Sequence, residues 1–277
     1  MSNGPTPDLD LLGELLSRAR ATGADAADAI LVRRAAIGHT QRLGEIEKLE
    51  REESQDLGLR VFVGKRQAIV SSNDLGADAK VELVQRALAM ARTVPEDPYC
   101  GLAQKTEICN DPPKLDIADH TEPSPETLIE RAAACEDAAR AVPGITNSEG
   151  ADASWSLSQI SLAASNGFAQ SYACSSHSVS AAVVAGEGTG MERDYDYSTA
   201  VYGEDLEAPE KVGRRAGEKT IKRLGPRKVK TQQVPVIYDP RVAGGMLRHL
   251  IGAIRGTAVA RGSSFLKDRL GEQIFSK

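Results

Sequence analysis

One short segment of this 277-residue chain alternates carboxylates with aromatic side chains: Arg193-Asp194-Tyr195-Asp196-Tyr197. In a strand, the two aspartates share one face, and the arginine and both tyrosines share the other. Paired carboxylates could do acid–base chemistry or bind a cation, and the segment could also contact a peptide or a partner protein. The plainer interpretation, which we favour, is a solvated carboxylate face with aromatic packing behind it.

A second segment, residues 235–254, places a histidine beside an apolar helical face. Residues 236–238 predict a short buried strand. Asp239 is a plausible N-cap, and Pro240 fits the first helical position because that position needs no amide hydrogen. The apolar positions then recur at helical spacing. They are Val242, Met246, Leu247, Leu250, Ile251 and Ile254.

His249 lies at the edge of this apolar face, and Arg248 lies on the opposite side. A zinc site needs at least three protein ligands, and the neighbours Leu250 and Ala253 offer none. We therefore favour a structural histidine over a metal ligand. Arg248 could bind a carboxylate of a partner through two hydrogen bonds, although a solvated helix face is the simpler interpretation.

These two segments, together with Ser-Ser-Phe-Leu-Lys-Asp at residues 263–268, carry a resemblance. The chain resembles the PmbA, or TldE, branch of the TldD/PmbA family. The other branch, TldD, carries a zinc-binding His-Glu-x-x-x-His motif on the helix of the second segment. Matching the two through the pair Ile251-Gly252 puts Arg248, His249 and Ala253 at the three motif positions. All three zinc-motif residues are therefore replaced in this chain.

The resemblance implies a subunit of a cytoplasmic two-component zinc metallopeptidase, a family also described as modulators of DNA gyrase. A TldD-like partner would supply the zinc and the catalysis in a heterodimer. This chain would bind no cofactor, would be inactive alone, and would help to enclose a chamber for unfolded peptides, with the peptide added to a sheet edge. An isolated chain could form a homodimer. The alternative is a peptide- or protein-binding regulator, acting on gyrase for example, without proteolysis.

Other sequence features give little support to independent chemistry. The glycine-rich residues 186–190 precede a strand-like segment and not a helix, so they predict a hairpin turn and not a phosphate loop. The basic stretch at residues 211–230 contains Glu218 and no aromatic residues, so we interpret it as a solvated helix face followed by a linker. The four cysteines are scattered and predict reduced thiols.

Composition narrows the class of protein further. A net charge of −5 argues against a general nucleic-acid coat, and no apolar run is long enough to span a membrane. The first eight residues lack the basic and apolar regions of a signal peptide. We therefore expect a cytoplasmic protein with no membrane or direct nucleic-acid partner.

The elements predict an α+β protein with three parts. Residues 1–94 form an N-terminal sheet-and-helix layer domain, and residues 124–230 form a middle domain of antiparallel strands with flanking helices. A Pro-rich connection, residues 95–123, joins them because six prolines exclude a helix or a central strand. By resemblance, residues 231–277 begin a C-terminal, metallopeptidase-like domain that is incomplete and therefore exposed or covered by a partner.

Individual elements follow from periodicity and turn residues. Helices are predicted over residues 8–21, 81–91 and 208–224, and from Ser124 to about residue 142. Strands are predicted over residues 29–33, 57–63, 67–71, 172–186 and 191–202, with a hairpin at Asn166-Gly167. The polar run at residues 41–55 is ambiguous, and we predict a strand there because related proteins have strands in this region.

Overall fold

A computed structural model describes residues 7–109 and 111–275. The chain forms two compact units, Met1–Pro226 and Arg227–Lys277. The prediction that no signal peptide is present falls mainly on residues 1–6, which lie outside the described part. The strands are β1 (Ala26–Arg42), β2 (Glu45–Val63), β3 (Arg66–Ser72), β4 (Ile145–Ala164), β5 (Ala169–Ala185) and β6 (Glu192–Ala200). The helices are α1 (Pro7–Ala21), α2 (Ala77–Thr93), α3 (Pro125–Arg140), α4 (Pro209–Arg223), α5 (Pro240–Ile254) and α6 (Gly256–Ala260).

The first unit is built on one antiparallel six-stranded sheet in the order β3-β2-β1-β4-β5-β6. The predicted α+β class is confirmed. The polar run at residues 41–55 is extended, as predicted, but it belongs to two strands: it contains the end of β1, a turn at residues 43–44 and the first part of β2. The strand predicted over residues 29–33 was too short. β1 continues for 17 residues because it pairs with β2 on one side and β4 on the other, well beyond its apolar start.

Two apolar cores lie on the same side of this sheet. One joins α1 and α2 to the first three strands, and the other joins α3 and α4 to β1, β4 and β5. The buried core residues of β1 and β4 have odd numbers in both cores. Examples are Leu31 and Ile37 on β1 and Trp155 on β4. The even-numbered residues of these two strands, with their neighbours across the sheet, form the opposite face, which we call the open face.

The predicted division into domains 1–94 and 124–230 stays a prediction. The sheet itself is continuous across it, because β1 pairs with β4 over Asp28–Gln41 and Ala164–Ala151. The Pro-rich connection has no helix or strand in its described residues beyond a short 3₁₀ turn at Lys105–Glu107. The last part of the connection lies alongside β5. β6 ends at Ala200, opposite His177, and further along β5 the Ser175 N–H donates to the Ile117 carbonyl at 2.9 Å.

α3 and α4 approach each other closely because glycines face the contact. A Cβ atom added to Gly213 would lie 1.9 Å from the Cys135 carbonyl oxygen, and one added to Gly217 would lie 2.8 Å from the Ala139 carbonyl oxygen. The backbones could not approach to this distance with any larger residue at these positions. Burial raises the pKa of the Cys135 thiol to about 12, so this cysteine is an inert core residue.

The second unit contains α5 and α6. The Asp239 side chain accepts a hydrogen bond from the Arg241 N–H at 2.9 Å, and Pro240 opens α5, so the predicted helix start is confirmed. The predicted strand over residues 236–238 is wrong. These residues have no regular structure, and Ile237 is 96% exposed. A strand needs a neighbouring strand for its backbone hydrogen bonds, and the described part of this unit contains none.

No helix within the described ranges is both long and apolar enough to cross a membrane.

Candidate functional site

The segment Arg193–Tyr197 lies in β6, at one edge of the sheet. Its alternation is as predicted. Asp194 and Asp196 point to the helix side and are 8% and 6% exposed, whereas Tyr195 and Tyr197 lie on the open face and are about half exposed. The favoured interpretation, with solvated carboxylates and packed aromatic rings, is therefore wrong because the burial of the two faces is reversed. α4 covers the carboxylates, whereas the rings lie on the opposite face of β6.

α4 covers the aspartates with basic residues spaced four apart. Arg215 and Lys219 contact Asp196, with an Arg215 Nε–Asp196 Oδ2 distance of 2.5 Å and a Lys219 Nζ–Asp196 Oδ1 distance of 2.9 Å. Arg223 Nη1 lies 3.1 Å from Asp194 Oδ2. The interpretation of the basic stretch as a solvated helix face is therefore wrong for Arg215 and Lys219. Arg223, by contrast, stays about half exposed while it contacts Asp194. The fold places the aspartates of β6 beneath these residues of α4. The helical pattern of α4 alone cannot reveal that contact.

These contacts fix the charge of the carboxylates. Burial acts to raise the pKa of Asp196, but hydrogen bonds from Lys219 and Arg215 outweigh it, so the pKa lies below its ordinary value. Arg215 also binds Glu207 through two hydrogen bonds of 2.8 Å. With Lys211, it lowers the pKa of Glu207 to about 2. Carboxylates held in this way are ionised and paired, and they do not suit proton transfer at neutral pH.

The two tyrosines on the open face form a stacked pair. Their ring centroids are 6.3 Å apart and their planes differ by 19°. They lie across from Ser180 and Ala182 of β5, whose side chains are small. Further across the open face, a cavity of about 490 Å³ is lined mainly by small or polar residues of β1, β2, β4 and β5. Among them are Gly38, Thr40, Ser154 and Ser156. The open face therefore offers a polar surface with exposed aromatic rings at its edge.

The three residues that the resemblance matches to the zinc motif lie on α5. Arg248 and His249 are exposed, and Ala253 is 6% exposed, with its carbonyl accepting a hydrogen bond from Ser264 Oγ at 2.6 Å. Arg248 offers no lone pair to a metal at neutral pH, and Ala253 has no donor atom. A lone histidine is too few ligands. These residues do not fit zinc, and no group of three metal-ligating side chains occurs within the described residues.

Comparison with known proteins supports the family resemblance that was based on β6 and α5. Three models of the PmbA/TldA metallopeptidase match the chain, with domain 1 over residues 27–91, the central domain over residues 118–224 and the C-terminal domain over residues 231–277. The metalloprotease PmbA of Escherichia coli O157:H7 is 39% identical over 251 residues, which cover 90% of this chain and 56% of that protein. A PmbA homologue of Haemophilus influenzae is 33% identical over 262 residues, or 94% of this chain and 57% of that protein.

The chain belongs to the PmbA/TldD family.

Solved structures show the same fold. A candidate modulator of DNA gyrase from Bacteroides thetaiotaomicron superposes with a TM-score of 0.87 at 24% identity, covering 98% of this chain and 62% of that one. TldE from Thermococcus kodakarensis superposes with a TM-score of 0.73 at 17% identity, covering 92% of this chain and 57% of that one. The chain spans little more than half the length of the curated PmbA relatives it matches.

Two buried polar groups of this PmbA/TldD family member were missed by sequence reasoning. His177 is 2% exposed, and its Nε2 lies 2.9 Å from Asp119 Oδ2. The pKa of Asp119 is lowered first by the Thr121 backbone N–H and further by Gly203 and His177. This pair attaches the Pro-rich connection to β5. No sequence signal could have found it, because the two residues are 58 positions apart and only the fold brings them together.

The second missed group is Glu136 of α3, which is fully buried. Its carboxylate accepts hydrogen bonds from the Gln41 and Ser148 side chains and from the N–H groups of Leu43 and Gly44 in the β1–β2 turn. Burial acts to raise the pKa of Glu136, but these four donors outweigh it and the pKa is lowered. Every oxygen of this carboxylate is already used by the chain, so we assign it a structural role in holding the turn.

Proposed function

We propose that this chain is the non-metal, PmbA/TldE-type subunit of a cytoplasmic zinc-dependent peptidase complex that degrades or processes unfolded peptides. A TldD-like partner carrying His-Glu-x-x-x-His supplies the zinc. The proposal rests mainly on the residues of α5. This segment keeps the family's helix, but Arg248, His249 and Ala253 cannot form a zinc site. Support also comes from the relatives named metalloprotease PmbA and from the likeness in fold to TldE.

The chain's own residues then bind and orient peptide and do not cleave it. A zinc ion held by the partner subunit would supply the activated water for attack on the peptide carbonyl. Tyr195 and Tyr197 can pack on an extended peptide because each presents an exposed ring with a polar end. Strand addition at β6 itself is disfavoured, since the Tyr195 N–H already donates to Asp194 Oδ1 at 2.8 Å. We therefore expect peptide to lie across the open face beside these rings.

The test is a reconstitution with purified components. The chain alone should not cleave a fluorogenic unstructured peptide, and the addition of a TldD-like subunit should produce cleavage that a chelator abolishes. A variant with Tyr195→Ala and Tyr197→Ala should raise the KM of the complex with little change in kcat, because these rings act only in binding.

Two results would overturn the proposal. The first is chelator-sensitive cleavage by the chain alone, since that requires a metal site in this polypeptide. The second is a stable complex that binds peptide but never cleaves it, which would establish the alternative of a regulator that acts by binding. A matched control, Tyr99→Ala, removes an exposed tyrosine in the Pro-rich connection and should leave KM unchanged.

A further inference from the structure

One long stretch of β2 lies at the edge of the sheet without a neighbouring strand. β3 pairs with β2 only over residues 57–63, because β3 is seven residues long. Residues 45–56 pair with β1 on one side, and on the other side no described strand or loop hydrogen-bonds to their backbone. We call residues 45–56 the free edge. Such an edge presents a row of backbone donors and acceptors that can pair with an added strand.

The side chains of the free edge are strongly acidic. It contains six acidic and two basic residues. Lys48 contacts Glu50, and Arg51 contacts Glu53 and Glu122. The remaining glutamates of the free edge have no ion pair within the described residues. These are Glu45, Glu47 and Glu52. The edge therefore carries an excess of negative charge that its own basic residues do not neutralise.

Two apolar side chains lie among these charges. Leu49 is 47% exposed and Ile46 is 59% exposed. Because Leu49 pairs with His39 and Glu52 pairs with Ala36, the leucine points to the helix side and the glutamate to the open face. An added strand would therefore meet Glu50 and Glu52 on the open face. On the helix side it would meet Leu49 beside Arg51 and Glu53.

Charge decides which strand can be added. A second copy of the chain would place acidic residues opposite acidic residues, which destabilises cross-strand pairs. The bulge at Glu47, where the register with β1 shifts, also disturbs regular pairing at the end of the edge. A basic strand instead gains an opposite charge at each carboxylate. The same glutamates thus exclude copies of this chain and favour a basic partner.

We propose that the free edge binds an extended basic peptide by strand addition. Lysine or arginine side chains would lie opposite Glu50 and Glu52, and aliphatic side chains would lie opposite Leu49. This position is separate from the rings of Tyr195 and Tyr197 on β6, and the proposal rests on the proposed function only for the fate of the peptide. The binding step itself needs no zinc and no partner subunit.

The experiment measures binding of labelled ten-residue peptides to the full chain by fluorescence anisotropy. The first peptide alternates lysine with valine, and the second alternates glutamate with valine. A third has the lysine–valine sequence with alternate backbone nitrogens methylated, which removes strand hydrogen bonds and keeps the charge. The lysine–valine peptide should bind at least about tenfold more tightly than either of the others, and its affinity should fall with salt.

A variant pair locates the site. Glu50→Lys together with Glu52→Lys should weaken binding of the lysine–valine peptide by about tenfold or more. Glu14→Lys together with Glu82→Lys makes the same change of net charge on exposed positions of α1 and α2 and should leave binding nearly unchanged.

Equal binding of the methylated peptide would overturn strand addition, because only charge would then matter. An equal loss in both double variants would overturn the assignment to the free edge. These outcomes are independent of cleavage. A reconstituted complex that fails to hydrolyse peptide contradicts the proposed function, whereas the binding measured here on the chain alone would still stand.

Discussion

α4 and α5 are two helices of equal length with opposite environments. Each has 15 residues and begins with proline. α4 buries a face of small residues against α3, β5 and β6. α5 presents a face of large apolar residues that is mostly exposed. Its exposed members include Val242, Met246, Leu247, Ile251 and Ile254. The more apolar helix is therefore the less buried one.

This difference shows that apolar pattern and burial are separate properties. A pattern indicates which face of a helix would be buried, but burial also needs elements on which to pack. α4 has these elements within its own unit, and small residues let it approach them closely. The described part of the second unit offers α5 only α6 and the residues that follow it. Three substitutions or conditions test this contrast, in order of decreasing effect.

The largest effect is expected from the glycine contacts. Gly213→Ala should lower the free energy of unfolding by about 3 kcal/mol, because its Cβ atom would overlap the Cys135 carbonyl oxygen. Gly252→Ala on α5 is the matched control, since the described structure has no atom within 4 Å of its added Cβ. That change should be neutral or stabilise the helix by up to about 1 kcal/mol. Urea denaturation followed by circular dichroism measures both, and equal effects would contradict the contrast.

A smaller effect is expected from the charges under α4. Asp196→Asn should cost about 2 kcal/mol because it leaves Arg215 and Lys219, each about one-third exposed, without their buried carboxylate. Arg248→Ala on α5 should change stability by less than about 0.5 kcal/mol, since this side chain is exposed. Thermal unfolding of the two variants under the same buffer compares them. A larger loss for Arg248→Ala would show that α5 is held by contacts of its own.

The smallest effect is a dependence on pH at the start of α4. The folded pKa of Glu207 is about 2, below its ordinary value of 4.5, so its contribution to stability is present above pH 4.5. That contribution is lost as the pH falls from 4.5 towards 2. The wild type should therefore be more stable than Glu207→Gln at pH 7, and the difference should narrow at pH 3. Urea midpoints at the two pH values measure the difference, and a gap that widens in acid would contradict the sign.

Sequence reasoning succeeded where information is local. The cap at Asp239 and the alternation in Arg193–Tyr197 follow from residue type and period, whereas the strand in the polar run was predicted from the resemblance. Sequence reasoning failed where a distant element decides the environment. The alternation identified two faces of β6, but only the packing of α4 determines which of them is buried. For the same reason, the strand over residues 236–238 was predicted from its apolar residues although no partner strand is present.

The same difference between local information and distant contacts applies to the candidate site. The assignment of Arg248, His249 and Ala253 to the zinc-motif positions comes from the resemblance and stays a prediction. The contact between Asp119 and His177 could not be read, since the residues lie on a loop and a strand that are far apart in the sequence. Likewise, the free edge of β2 depends on the length of β3, which periodicity fixes only approximately.

β1 has a further consequence for how the first unit melts. Its 17 residues extend for roughly 55 Å and serve both apolar cores, with Leu31 in one and Ile37 in the other. Detaching this strand would expose both cores at once, so neither can lose its order while the other stays intact. We therefore expect residues 7–226 to denature in a single all-or-none step, although they contain two family domains.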